Sequence, residues 1–150
     1  MFYVVHILMG GVIAKFFPSI APIVILGLIS HFLIDMIPHR DTFFTKNILK
    51  KSYKLKFNSK EVLFEATEII ISILVIIYIQ FKFKSSLMLF AIFISLLPDL
   101  VKFSYLTRLR NNKIFIKYFN FHFNIQREAS WPIGILTQLI ATIILIMILF

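Results

Sequence analysis

Cysteine is absent from the 150-residue chain, which excludes a disulfide and any thiolate metal site and leaves histidine and carboxylate as the strong ligands at hand. Acidic residues are scarce as well. Seven aspartates and glutamates stand against sixteen lysines and arginines, for a net charge of +9. A basic region ahead of the first apolar run is also missing, and no small-residue cleavage site follows it, so "MFYVVHILMGGVIAKFF" reads as a retained helix rather than a removed signal.

What the chain does have is apolar surface. Hydrophobic residues make up 59% and aromatics 16%, with a mean hydropathy of +0.90, well above the range of a water-soluble domain. Residues 19 to 37 and 69 to 81 are almost uncharged, and residues 132 to 150 form a last apolar run. A bilayer crossing takes about 20 such residues at ~1.5 Å each. The expectation is an all-α, polytopic membrane bundle, one integral domain over residues 1 to 150, with about five hydrophobic helices at 2–17, 21–37, 61–81, 86–101 and 132–150. Pro18 and Pro22 bracket a tight turn between the first two, which should form an antiparallel hairpin.

The positive charge is gathered rather than spread. Arg40, Lys46, Lys50, Lys51, Lys54, Lys56 and Lys60 fall in one loop, and Lys102, Arg108, Arg110, Lys113, Lys117 and Arg127 in another, against two lysines in "FKFKSS". By the positive-inside rule both rich loops face the cytoplasm, which puts the N-terminus there too and the C-terminus outside. "TKNILKKSYKLKFNSKE" mixes lysines with apolar residues and suits an anionic bilayer surface; residues 103 to 125 carry a similar mix and form a second candidate interfacial element. Membrane lipids, not nucleic acid, are the expected partner of this charge.

Ionisable groups inside apolar helices are costly and point to function. His31 and Asp35 are four residues apart on the second helix, one turn apart on one face. Pro38 ends that helix, and His39 and Asp41 follow on a returning loop. Glu61, Glu65, Glu68 and Ser72 form a narrow stripe on the third helix, and a stripe of carboxylates cannot face lipid. Ser95 and Asp99 repeat the four-residue spacing beside Pro98. His6 lies one turn from Gly10, His122 lies in "YFNFHFNIQ", and Gln138 is on the last helix.

Depth unites these groups. In the expected topology His6, His31, Glu65, Glu68 and Asp99 occupy one slab near the cytoplasmic face, bordered by His39, Asp41 and His122. Such a set suits a divalent metal, zinc first and manganese or iron next, with His6, His31, Asp35, His39, Asp99 and His122 as candidate ligands. Glu65 or Glu68 is the candidate general base. Plainer readings stand beside these: His6 as a packing histidine, Glu61 as a first-turn residue favoured by the helix dipole, Asp41 as a loop ion pair or cap, Glu128 as an interfacial acid, and Trp131 as an interface anchor.

"HILMGG", "SHFLIDMIPHRD" and "SLLPDL" together resemble small bacterial inner-membrane proteins labelled as membrane-bound metal-dependent hydrolases, a domain-of-unknown-function family. The resemblance implies a multi-pass inner-membrane protein and metal ligation by His6, His31, Asp35, His39 and Asp99. A further pair of histidine motifs found in some members has only His122, in "FHFNIQ", as a counterpart here. The function expected is hydrolysis of a lipid or lipid-linked ester or phosphoester. The alternatives are a non-enzymatic protein that binds or conducts a cation or proton, and a structural protein whose polar groups only lock helices together.

Overall fold

A computed structural model describes residues 1 to 40, 59 to 103, 112 to 127 and 129 to 150. Asp41, Glu128 and most of the two basic segments lie outside these residues, as does the side chain of Glu61. The described chain is all-helical, with six helices and no strand: α1 (Tyr3–Phe16), α2 (Ile20–Asp35), α3 (Ser59–Phe83), α4 (Ser86–Phe103), α5 (Lys113–Ile125) and α6 (Trp131–Leu149).

Five of these fall where the hydrophobic runs place them, and α5 is the addition. Its apolar and aromatic residues recur at helical spacing, so Phe119 and His122 are buried while Lys113 and Lys117 stay exposed. Asn112 caps it, accepting from the Ile114 N–H at 2.9 Å.

The expectation of about five spanning helices is corrected by length. Among the described residues only two are long and apolar enough to cross a membrane, Val62–Phe83 and Trp131–Leu149. With 14 and 16 residues, α1 and α2 reach only about 21 and 24 Å, short of a hydrocarbon core of about 30 Å. The two long helices are little covered by the rest of the described chain, with just 17% and 22% of their apolar windows buried. Their outer faces leave Ile70, Leu74, Ile77, Leu136, Ile143 and Met147 exposed.

Helix α1 is the hub, packed on α2, α3, α4 and α6. Apolar on nearly all sides, it buries Val5, Ile7 and Leu8 almost completely. Gly10 lets it meet α4 backbone to backbone, and His6 lies near Asp99 one turn away, so the two helices are antiparallel. Contacts of Phe2 with Gln138 and of Lys15 with the Ile148 and Leu149 carbonyls make α1 and α6 parallel. Tyr3 meeting Glu65 and Glu68 makes α1 and α3 parallel as well. The N-terminal ends of α1, α3 and α6 therefore gather with the C-terminal ends of α2 and α4. Nearly all the buried polar side chains lie at that end.

Candidate metal centre

Helix α1 starts without a cap of its own, for Phe2 offers no side-chain acceptor. The first N–H groups of a helix need acceptors, and here neighbouring helices supply them. Gln138 Oε1 on α6 accepts from the Phe2 N–H at 2.6 Å, and Glu68 Oε1 on α3 accepts from the Tyr3 N–H. Glu65 Oε1 accepts from the Tyr3 hydroxyl at 2.7 Å. Glu65 and Glu68 of the α3 stripe thus face inward, as expected, and engage the start of α1.

One turn further in lies the histidine and aspartate group. Ligand atoms of His31, Asp35, Asp99 and His122 all fall within 4.8 Å of one another, and all four residues are buried. They come from α2, α4 and α5. His122 Nε2 is 2.9 Å from Asp35 Oδ2, His31 Nε2 is 3.5 Å from the same oxygen, and Asp99 Oδ1 is 3.8 and 3.9 Å from the His31 and His122 Nε2 atoms. Metal bonds of about 2.0–2.1 Å around a tetrahedral ion put its ligand atoms roughly 3.3 Å apart, and the observed separations bracket that value.

The outward nitrogens fix which imidazole atom faces the group. His31 Nδ1 sits 2.8 Å from the Ser95 carbonyl, which can only accept, so Nδ1 carries the proton and Nε2 presents its lone pair. Pro98, lacking an N–H, removes the helical donor to the Ile94 carbonyl, one residue before Ser95. Tyr118 works similarly for His122. Its hydroxyl donates to the Pro98 carbonyl at 2.8 Å, so its oxygen is left to accept from His122 Nδ1–H at 3.2 Å. With the outer nitrogens so engaged, the Nε2 atoms of both histidines face the two carboxylates, and His122 Nε2 lies within hydrogen-bond distance of Asp35 Oδ2.

Asp35 is the hub of the group. Besides the two histidines, Gln126 donates to Oδ2 at 3.0 Å, while His6 Nε2 at 3.3 Å and the Met1 amine at 3.4 Å approach Oδ1. It is also the last residue of α2, the helix end where the dipole disfavours a carboxylate. Position alone would select against it, so its surroundings must hold it there.

The remaining candidates sort by geometry. His6 is fully buried, stacks on His31 with ring centroids 4.1 Å apart, and approaches Asp99 Oδ2 at 3.7 Å. Neither of its ring nitrogens makes a hydrogen bond. It borders the four as a fifth potential ligand. His39 is buried but is not one of the four. Its Nδ1–H donates to the Ile37 carbonyl at 2.8 Å, and its backbone bridges to Arg127 and Ala129. Gly134 permits this by leaving room on α6, where a Cβ would come within 2.6 Å of the Arg40 nitrogen. Glu65 and Glu68 are not among the four either; both are held by Tyr3.

Tyr118 and Gln126 escaped the sequence reading. A signal was present for Tyr118, one turn before His122 on the same face of α5. Supporting hydrogen bonds of this kind are worth about 10–100-fold in metal affinity. Tyr118→Phe is accordingly expected to weaken zinc binding by about that factor, with little change in melting temperature, in a competition titration against a chromophoric chelator. Unaltered affinity would mean that the Tyr118 hydroxyl does not orient His122.

Comparison of the chain with protein-family models, with curated proteins and with solved structures returns no match.

Proposed function

We propose that the protein is a multi-pass protein of the bacterial inner membrane, N-terminus in the cytoplasm, whose histidine and aspartate group holds a divalent metal, zinc first, and hydrolyses an ester or phosphoester of a lipid or lipid-linked substrate. The observation that carries this reading is the convergence of two imidazoles and two carboxylates from three helices, with ligand atoms within 4.8 Å of one another. The four residues come from helices far apart in the chain, yet present their ligand atoms to one buried point.

His31, Asp35, Asp99 and His122 would hold the ion, with His6 at their edge. Mixed nitrogen and oxygen donors without thiolate suit zinc, manganese or iron. When bound, such an ion supplies a Lewis acid for a phosphoryl or carbonyl oxygen and activates water near neutral pH. The chain's own residues do the rest. Ser95 and Tyr118 keep the histidine protons on the outer nitrogens, and burial keeps bulk water away. Glu65, in contact with the Tyr3 hydroxyl, is the proton acceptor proposed for the step.

The resemblance to membrane-bound metal-dependent hydrolases supports the same reading, and the exposed apolar faces of α3 and α6 support the membrane setting. Metal analysis of the protein purified in mild detergent, followed by turnover of a panel of phospholipids and lipid esters in liposomes, tests it. Turnover that a chelator abolishes and zinc restores is the expected result. Metal-loaded protein that turns over none of the panel but carries cations or protons across the liposome would replace hydrolysis with transport.

A further inference from the structure

Each aspartate of the metal group turns one carboxylate oxygen toward His31 and His122 and the other toward His6. Asp35 Oδ2 lies 2.9 Å from His122 Nε2 and 3.5 Å from His31 Nε2, while its Oδ1 lies 3.3 Å from His6 Nε2. Asp99 Oδ1 lies 3.8 and 3.9 Å from the same His31 and His122 atoms, while its Oδ2 lies 3.7 Å from His6 Nε2. The two carboxylates thus stand between two sets of nitrogens, and an ion on either side would meet one oxygen of each.

His6 supplies a second, independent observation. It comes from α1, it is fully buried, and neither of its ring nitrogens makes a hydrogen bond. A buried polar atom left unsatisfied costs about 1–3 kcal/mol, which a cation bound at Nε2 would relieve. The imidazole also stacks on that of His31, with ring centroids 4.1 Å apart and planes 22° from parallel. Both Nε2 atoms approach the same pair of carboxylates, so the two rings point the same way. Ions in two-metal sites lie about 3.5–4 Å apart, close to the offset between these rings. The Met1 amine, 3.4 Å from Asp35 Oδ1, is the positive group already on the His6 side, and a second ion would displace it.

We propose that the centre binds two divalent ions, the second held by His6 Nε2, Asp35 Oδ1 and Asp99 Oδ2, with both aspartates bridging the pair. This rests on the hydrolase reading and narrows it to phosphoesters. Two divalent ions against two carboxylates leave about two positive charges unbalanced, which an anionic phosphate offsets and a neutral carboxylic ester does not. Paired ions also clamp the entering and leaving oxygens of a displacement at phosphorus. The oxygen of a water molecule bonds to phosphorus as the bond to the leaving oxygen breaks, and one proton of that water ends on the leaving oxygen.

The test loads the full chain with manganese in mild detergent, removes loose ions by gel filtration, and reads elemental content and the electron paramagnetic resonance spectrum. About two ions per chain and a spin-coupled spectrum are expected, falling to about one ion and an uncoupled spectrum in His6→Phe, which keeps a ring against His31. Coupling is read on the unaltered protein, so it decides the matter even where His6→Phe fails to fold. A single ion per chain, a pair without coupling, or a pair retained by His6→Phe overturns the second site and leaves the single-metal hydrolase standing. No bound ion overturns both. Turnover in liposomes checks the substrate: the loaded protein should hydrolyse at least one of a panel of lipid phosphoesters, phosphatidic acid among them, and spare diacylglycerol. A coupled pair that turns over none of these lipids overturns the hydrolase reading and keeps the two-ion centre, and cleavage of diacylglycerol overturns the restriction to phosphoesters.

Discussion

His31→Ala and Asp35→Asn are each expected to strip the metal from the purified protein while leaving the bundle helical. His31 Nε2 and the Asp35 carboxylate are direct candidates for ligation, so the loss should exceed the about 10–100-fold expected of a supporting residue such as Tyr118. Asparagine keeps the shape of Asp35, and its side-chain oxygen can still accept from Gln126. The helices themselves are held elsewhere, by Val5, Ile7, Leu8, Ile92 and Leu149 in the apolar core. Stability provides a second readout. A ligand at a hundred times its dissociation constant stabilises the folded state by about 2.7 kcal/mol, so zinc should raise the melting temperature of the wild type and leave that of His31→Ala unmoved. If both variants melt lower yet retain the metal of the wild type, the polar group is a helix lock and the metal centre is lost as an idea.

Much of this centre is legible in the sequence because it depends on local spacing. The four-residue step from His31 to Asp35 requires a shared helix face, and chain reversals at Pro18 and at residues 84 and 85 bring His6, His31 and Asp99 to one end. What was not legible depends on contacts between distant segments. Nothing near His39 reveals that Gly134, far along the chain, makes room for residues 39 and 40 and ties them to α6. Glu65 and Glu68 of α3 are turned inward, as their spacing requires, but their partner follows from a local deficit. Phe2 cannot cap α1, and Glu68 meets that need from another helix. Length explains the difference in spanning helices: hydropathy marks α1, α2 and α4 as apolar, and α1 owes that character to burial at the centre of the bundle.

Gly10→Val should be the most disruptive substitution among the glycines of α1 and α2, and it should damage the metal centre from a distance. A Cβ at residue 10 would lie 2.8 Å from the Ala91 carbonyl oxygen, 2.8 Å from Ile92 Cα and 2.9 Å from Ile92 N, all backbone atoms that cannot rotate away. Relief requires α1 to move off α4. Overpacking of this kind costs about 1–3 kcal/mol, partly offset by a gain of up to about 1 kcal/mol in helix propensity. Because His6 sits one turn before Gly10 and reaches Asp99 across the same interface, the displacement lengthens the 3.7 Å approach between them. At Gly27 the obstacle is the Ile94 side chain at 2.8 Å, and at Gly11 it is the Leu149 side chain at 3.1 Å, both of which can adjust. Alanine at positions 10, 27 and 11 should therefore lower the melting temperature in that descending order, and only substitution at 10 should also weaken zinc binding. Wild-type melting and metal affinity in Gly10→Val would show that α1 and α4 do not pack backbone to backbone, and the position of His6 beside Asp99 would fall with that contact.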